Sequence, residues 1–277
     1  MNQLILVPIG GLANRFYAIT SAIAFCKDYN VKLKIIWFKD KGMGANFHSL
    51  FELSEEVDKS MVEIIDAKWY HYIYDRPRKR NLWFSLGVQA LCFTQRYYEK
   101  TVIKELNIGE MINCIRNNKS IYLVVYYNFY NVKRFDSLLL KKTINERVNQ
   151  IVSSFPLKEI IGIHLRRTDN IYSIKNSPLS LFITRMDQEL TRDPNLYFYV
   201  ASDSLSDKLE LKKRFGDRVI ISLKEAQREN VNGIIDALVE LYILSRCKKI
   251  YGSSHSSFSI LAAELSGAEL EILSLKK

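Results

Sequence analysis

The chain has 277 residues, with 40 lysines and arginines against 30 aspartates and glutamates, for a formal net charge of +10. That length can bury one large core or two ordinary ones. No segment approaches the length of a membrane span, no tract is repetitive or low in complexity, and the four cysteines are scattered without metal-ligand spacing.

Leu4-Ile5-Leu6-Val7-Pro8-Ile9 reads as a buried strand near 3–9, followed by Gly10-Gly11-Leu12-Ala13-Asn14-Arg15 and an apolar helical pattern near 14–28 through Phe16, Ile19, Ile23 and Phe25. Strand, glycine turn and helix is the layout in which backbone N–H groups face an anion. The glycine spacing fits neither G-x-G-x-x-G nor a Walker A loop, and a structural turn explains Gly10-Gly11 equally well. Asn14 and Arg15 at the helix start are harder to explain as structure alone. Gly10, Gly11, Asn14 and Arg15 are therefore candidates for a diphosphate or acceptor side.

Further strands are expected near 32–38 and 121–127, with a less clear helical stretch from 83 to 106. Between them lies Arg76-Pro77-Arg78-Lys79-Arg80, preceded by Trp69, Tyr70, Tyr72 and Tyr74. This segment reads either as a solvated loop beside a partly buried aromatic cluster, or as a contact for RNA, an anionic membrane surface or a charged acceptor. No nucleic-acid fold motif accompanies it, so nucleic acid is the least favoured of these. Residues 136–152 are polar and helical, and Ser153-Ser154-Phe155-Pro156 reads as the join between a domain over 1–155 and one over 156–277.

In the second half, strands near 160–165, 196–201, 218–222, 249–252 and 270–274 alternate with helices near 178–192, 205–214, 231–246 and 256–266. Pro178 after Ser177 is a good helix start. This alternation predicts an α/β domain with a doubly wound parallel sheet, in which ligands bind just beyond the carboxyl ends of the strands.

Three strand ends carry polar clusters. Ile160-Ile161-Gly162-Ile163-His164-Leu165 stops at Arg166-Arg167-Thr168-Asp169, and adjacent guanidiniums suit a diphosphate because each offers a planar fork of donors at any relevant pH. Surface solvation, with Asp169 pairing one arginine, is the competing reading. Tyr197-Phe198-Tyr199-Val200-Ala201 ends in Ser202-Asp203-Ser204, where Ser204 and Asp207 also have capping-box spacing. Lys249-Ile250-Tyr251-Gly252 leads into Ser253-Ser254-His255-Ser256-Ser257, more serines than one N-cap needs, at the positive end of a helix dipole.

These motifs together resemble the GDP-fucose-dependent fucosyltransferases, the α-1,2, α-1,6 and protein O-fucosyltransferase superfamily that includes nodulation-type enzymes. The resemblance rests on Gly-Gly-Leu-Ala-Asn-Arg at 10–15, His-Leu-Arg-Arg-Thr-Asp at 164–169, Ala-Ser-Asp at 201–203, and Leu-Ser-Arg-Cys-Lys followed by Ser-Ser-Phe-Ser at 256–259. They occur in order along nearly the whole chain, although 40–155 carries no signature. The resemblance implies a GT-B-like fold, two Rossmann-like domains facing a cleft, with an acceptor-side N-terminal domain and a nucleotide-sugar-binding C-terminal one. It implies that Arg166 contacts the β-phosphate and stabilises departing GDP, that His164 lies near guanine and ribose, and that Ser256 and Ser257 bind the pyrophosphate. Glu240 falls where the family has an acid reading the guanine edge; Asp236, one helical turn earlier, competes for that role. Arg167, Asp169, Ser202, Asp203 and His255 complete the implied donor side. In the α-1,6 enzymes a glutamate shortly after the arginine motif has been proposed as the base. Here 170–175 contains no acid, which leaves the base unplaced.

The expected reaction moves L-fucose from GDP-fucose to a sugar hydroxyl of a glycan acceptor, with inversion. No D-x-D-like ligand set is evident, so no cofactor and no metal are expected, with Arg166, the serine-rich helix start and Arg15 as candidates for stabilising the leaving diphosphate. A transferase using another nucleotide sugar, or a non-catalytic nucleotide-sugar or RNA binder, is the alternative. The first apolar run is too short for a signal h-region. Cys26, Cys92, Cys114 and Cys247 lie mostly among apolar residues. A cytoplasmic protein is expected, in contact at most with the inner face of a membrane.

Overall fold

The computed structural model describes residues 3–75, 83–98, 106–117, 119–156 and 159–275. The chain divides into two units, Met1–Lys141 and Lys142–Lys277.

In the first unit, β1 (Gln3–Pro8), α1 (Leu12–Tyr29) and β2 (Lys32–Trp37) form a strand–helix–strand unit. After β2 come β3 (Phe51–Leu53), β4 (Val62–Asp66), α2 (His71–Tyr74), α3 (Trp83–Cys92), β5 (Gln95–Tyr97), α4 (Ile108–Arg116), β6 (Ile121–Val125) and β7 (Leu138–Leu140). A five-stranded parallel sheet runs in the order β4-β2-β1-β6-β5. The central strands are near-continuous apolar runs because helices and loops cover both faces of such a sheet; all five residues of β6 are buried. β3 and β7 form a separate antiparallel pair.

The second unit contains α5 (Lys142–Ser153), β8 (Ile160–Leu165), α6 (Ile171–Asn176), α7 (Leu179–Arg192), β9 (Tyr197–Ser202), α8 (Leu205–Phe215), β10 (Val219–Ile221), α9 (Val231–Leu244), β11 (Lys249–Ser253), α10 (Ser257–Ser266) and β12 (Glu269–Leu273). Its parallel sheet runs β10-β9-β8-β11-β12. Counted within the unit, this is strand order 3-2-1-4-5, a doubly wound sheet whose direction of winding reverses between β8 and β11. Ile163, Leu165, Phe182, Met186, Phe198, Val200 and Leu211 pack into one of its cores. Gly252 lets α10 approach β11 closely, since a Cβ there would lie 2.8 Å from Cβ of Ser259. Apolar Ile234, Leu238, Leu241 and Leu244 dock α9 on the sheet as expected.

The fold is the expected α/β one, but several local expectations are corrected. The helix over 142–153 belongs with the second unit rather than the first. Its Ile144 and Val148 are buried, and Arg147 Nη2 meets Asp236 on α9 at 2.5 Å. The join therefore precedes this helix instead of following it at 153–156. The stretch from 83 to 106 is not one helix: it breaks after Cys92, and β5 follows. The aromatic residues before the basic run are not partly buried, since Trp69, Tyr70 and Tyr72 are all exposed. Arg76 to Arg80 lie outside the described residues. Cys26, Cys114 and Cys247 are buried free thiols, while Cys92 is exposed. Among the described residues no helix is long and apolar enough to cross a membrane.

Candidate functional site

In a parallel sheet all the strands present their carboxyl ends to one edge. In the second unit that edge gathers residues 166–170 after β8, 203–204 after β9, 222–230 after β10 and 254–256 after β11. The reversal between β8 and β11 marks the switch point at which ligands of such folds bind. Ser253 stitches those two strands at this point: its hydroxyl donates to the His164 carbonyl at 3.2 Å and accepts the Arg166 N–H at 3.1 Å.

Asp203, at the end of β9, organises the polar cluster. Its carboxylate accepts the Arg167 N–H at 2.6 Å, the Thr168 hydroxyl at 2.7 Å and Arg228 Nη2 at 2.8 Å, with Arg166 Nη1 at 3.5 Å. Burial pushes its pKa up, and the Thr168 hydroxyl, the Arg167 N–H and the two guanidiniums outweigh this, holding the carboxyl below its ordinary value. Asp169 lies on the solvent side of the same arginines, 2.7 Å from Arg166 Nη2 and 2.5 Å from Arg228 Nη1. Its side chain is 52% exposed against 8% for Asp203. Arg166 and Arg228 thus stand side by side, joined underneath by Asp203 and outside by Asp169. Burial, and next the neighbouring Arg228 charge, lower the Arg166 pKa, but a guanidinium remains charged at any working pH.

The adjacent arginines expected to act together do not. Arg167 turns into the unit, with Nε on Asp207 at 2.7 Å and Nη1 on the carbonyls of Ile174 and Ser177, both at 3.4 Å. Asp207 is also in the first turn of α8, where its N–H bonds the Ser204 capping hydroxyl at 3.3 Å. Arg228 takes the place beside Arg166. Sequence reasoning missed it; the only available signal was a cation in the polar segment following a strand end.

The serine-rich turn divides into two roles. Ser254 is structural, its N–H donating to Ser177 Oγ at 2.9 Å. Ser256 is the N-cap of α10 and makes no side-chain cap bond, and Ser257 is the first helical residue. The first turn of α10 lies at the positive end of the helix dipole. The turn is tied to the arginine segment by Asn170 Nδ2, which donates to the His255 carbonyl at 2.9 Å. His255 itself has φ 55° and faces solvent. Ser202 is buried and its Oγ accepts the Ser204 N–H at 3.1 Å, closing the turn after β9.

His164 is buried on β8, stacked on Phe258 of α10 with ring centroids 4.8 Å apart. Its Nδ1 is buried without a hydrogen-bond partner. Burial, more than any neighbour, pushes its pKa down to about 3, so the ring is neutral at physiological pH.

Both acids of α9 already hold cations. Glu240 Oε1 meets Lys208 Nζ at 2.5 Å, with the two side chains 14% and 2% exposed. Burial raises the Glu240 pKa against the opposing pull of Lys208. Asp236 meets Arg147 at 2.5 Å and Lys224 at 3.0 Å. The two acids do share a helix face, but it packs against α5 and α8.

In the first unit, Gly10 adopts φ +87°, and a Cβ there would come within 2.9 Å of Asn14 Nδ2. Gly11 is the N-cap of α1. Arg15 is fully buried: Nε donates to the Gly10 carbonyl at 3.0 Å, Nη1 to Phe38 O at 2.6 Å and Nη2 to Asp40 at 2.8 Å, and the guanidinium lies 4.6 Å from the Trp37 ring centroid. Expected as a ligand-facing cation, Arg15 instead closes the turn after β1 onto the segment after β2. Among the described residues no three of His, Cys, Asp and Glu form a group able to hold a metal.

Compared by sequence, the chain matches no family model and no curated protein. Compared by structure, it is similar to GDP-fucose-dependent fucosyltransferases over almost its whole length. A crystal of the NodZ α-1,6-fucosyltransferase soaked with GDP-fucose shares a TM-score of 0.62 and 17% identity, covering 95% of this chain and 92% of that one. A crystal structure of fucosyltransferase NodZ from Bradyrhizobium gives a TM-score of 0.62 at 16% identity and the same coverage. A point mutant of Arabidopsis thaliana FUT1 in complex with GDP gives 0.62 at 14% identity, over 98% of this chain and 70% of that one. POFUT1 in complex with GDP gives 0.53 at 11%, over 98% of both chains. The chain thus has the mixed α/β, GT-B-like fold of these glycosyltransferases.

Proposed function

We propose that this protein transfers L-fucose from GDP-fucose to a sugar hydroxyl of a glycan acceptor, with inversion at the anomeric carbon and without a metal ion. The observation that carries the reading is the position of Arg166. It stands where β8 and β11 part, beside Arg228, with its N–H on Ser253 Oγ at the end of β11. Solved structures of similar fold include complexes with GDP and a crystal soaked with GDP-fucose.

The chemistry required there is charge stabilisation. The anomeric C–O bond breaks with its electron pair leaving on GDP, while the acceptor oxygen bonds the opposite face and its hydroxyl loses a proton. Negative charge grows on the diphosphate, and fixed guanidiniums and helix N–H groups stabilise it without reorganising. Arg166 supplies a bidentate fork, Ser256, Ser257 and His255 frame the main-chain donors, and His164, Ser202, Asp203 and Asp169 shape the pocket wall. Arg167 acts through position, by holding the 166–169 turn. The second unit binds the donor in this reading, and the first meets the acceptor on the side of Gly10, Gly11 and Asn14. Buried free thiols at Cys26, Cys114 and Cys247 support a reducing, cytoplasmic location.

Guanine is assigned to Glu240 or Asp236, either of which must release a cation to take the base. That requirement favours keeping a second reading, a transferase for another nucleotide sugar.

Thermal-shift measurements against GDP, UDP, ADP and GDP-fucose test both readings, because a ligand that binds only the folded state raises its stability. Stabilisation by GDP and GDP-fucose, with slow GDP release from the sugar donor, is expected. Stabilisation by UDP or ADP alone would overturn the donor assignment.

A further inference from the structure

Arg228 lies outside every motif that marks the site, yet it makes the same two carboxylate contacts as Arg166. Two guanidiniums held this close repel one another, and a protein that needed only a structural pair would satisfy each carboxylate with one arginine. The two acids also differ. Asp203 is buried and fastened by a backbone N–H and a hydroxyl as well as the arginines, whereas Asp169 is half exposed and its carboxylate is bound only by the two guanidiniums among the contacts described.

We propose that Arg228 is the second diphosphate-binding arginine, and that Asp169 is an internal anion which the diphosphate displaces from Arg166 and Arg228. This rests on the donor reading above. Asp203 stays in place as the floor that spaces the two forks, and a diphosphate, with anionic oxygens on two phosphorus atoms, takes over the outer side that Asp169 bridges. The role expected of Arg167 thus falls to a residue 61 positions further along the chain. Removing Asp169's charge should tighten anion binding, opposite in sign to the loss expected if Asp169 were only a structural counter-ion.

The test is calorimetric binding of inorganic pyrophosphate and of GDP to wild type, Arg228→Gln, Arg228→Lys and Asp169→Asn, each checked for folding by its melting curve. Arg228→Gln should weaken both ligands about 10- to 100-fold, the range for losing a charge-assisted bidentate contact. Arg228→Lys should recover part of that loss, as a point charge without the fork. Asp169→Asn should bind both ligands more tightly than wild type. Wild-type affinity in Arg228→Gln, or weaker binding in a folded Asp169→Asn, overturns the proposal while leaving the GDP-fucose reading intact. Pyrophosphate binding that depends on Arg228 without any affinity for GDP sinks the donor reading and leaves the anion site standing. No binding of either ligand to wild type overturns both.

Discussion

Arg167 and Asp207 form a 2.7 Å ion pair that locks the turn after β8 to the first turn of α8. The second arginine of an adjacent pair is thereby turned inward, and its neighbour Arg166 is left at the strand-end edge. Because consecutive residues leave an extended chain on opposite sides, one of two neighbouring arginines is free to anchor while the other serves a ligand.

The two arginines should therefore fail differently. Arg166→Lys is expected to keep its melting temperature and lose about 100-fold or more in turnover, since a point charge cannot reproduce a bidentate fork at the leaving group. Arg167→Lys should lower the melting temperature by several degrees and reduce activity less. Steady-state rates and melting curves for both variants decide this; near-normal turnover in Arg166→Lys removes it from the reaction.

Turnover should persist in excess chelator. In the proposed reading, fixed guanidiniums and the start of α10 do the work a cation would do at the diphosphate. An absolute requirement for Mg²⁺ or Mn²⁺, restored on adding the ion back, would replace this electrostatic account.

His164 should make the protein acid-sensitive. Its folded pKa is about 3 against an ordinary value near 6.5. Between those limits the unfolded chain binds a proton that the native one does not, so stability rises with pH through that window and is lost as pH falls from 6.5 toward 3. Asp203, held below its ordinary value, adds a further loss below about pH 4 as it is protonated. Melting curves from pH 4 to 7 should show a slope that His164→Asn flattens. An unchanged slope in that variant would mean the ring is not held neutral.

Glu240→Gln should destabilise the second unit by about 3–5 kcal/mol, because it strands the Lys208 ammonium, 2% exposed, without its partner. Lys208→Met with Glu240→Leu should recover much of the loss. If Glu240 also reads guanine, the Gln variant will narrow the affinity gap between GDP and ADP, since a carboxylate facing adenine has no matching donor pair. An unchanged gap in both Glu240→Gln and Asp236→Asn places guanine recognition elsewhere.

The second unit was legible from its residues almost strand by strand. Its central strands are buried on both faces, so they read as unbroken apolar runs such as Ile160–Leu165, and their polar ends stand out against them. The sequence also located three of the four strand ends that meet at the site, as well as Asp203 and Arg166. Much of the first unit was illegible because β3, β5 and β7 are only three residues long. Segments that short carry too few side chains to show a period.

Which charged residues stand at the strand-end edge, and which are taken up in pairs, followed from long-range packing instead. Arg15 looked available at the start of α1 and is buried against residues 23 and 25 positions away. Asp236 and Glu240 share a helix face, as their spacing dictates, but their cations come from Arg147 and Lys208 on other helices. Arg228 reaches the site from 59 residues beyond Asp169. A local pattern reports which side of its own element a residue occupies, whereas the partner of a charge is set by which elements the sheet order brings together. Here the order β10-β9-β8-β11-β12 places the segment after β10 close enough to the turn after β8 for Arg228 to reach Asp169 and Asp203.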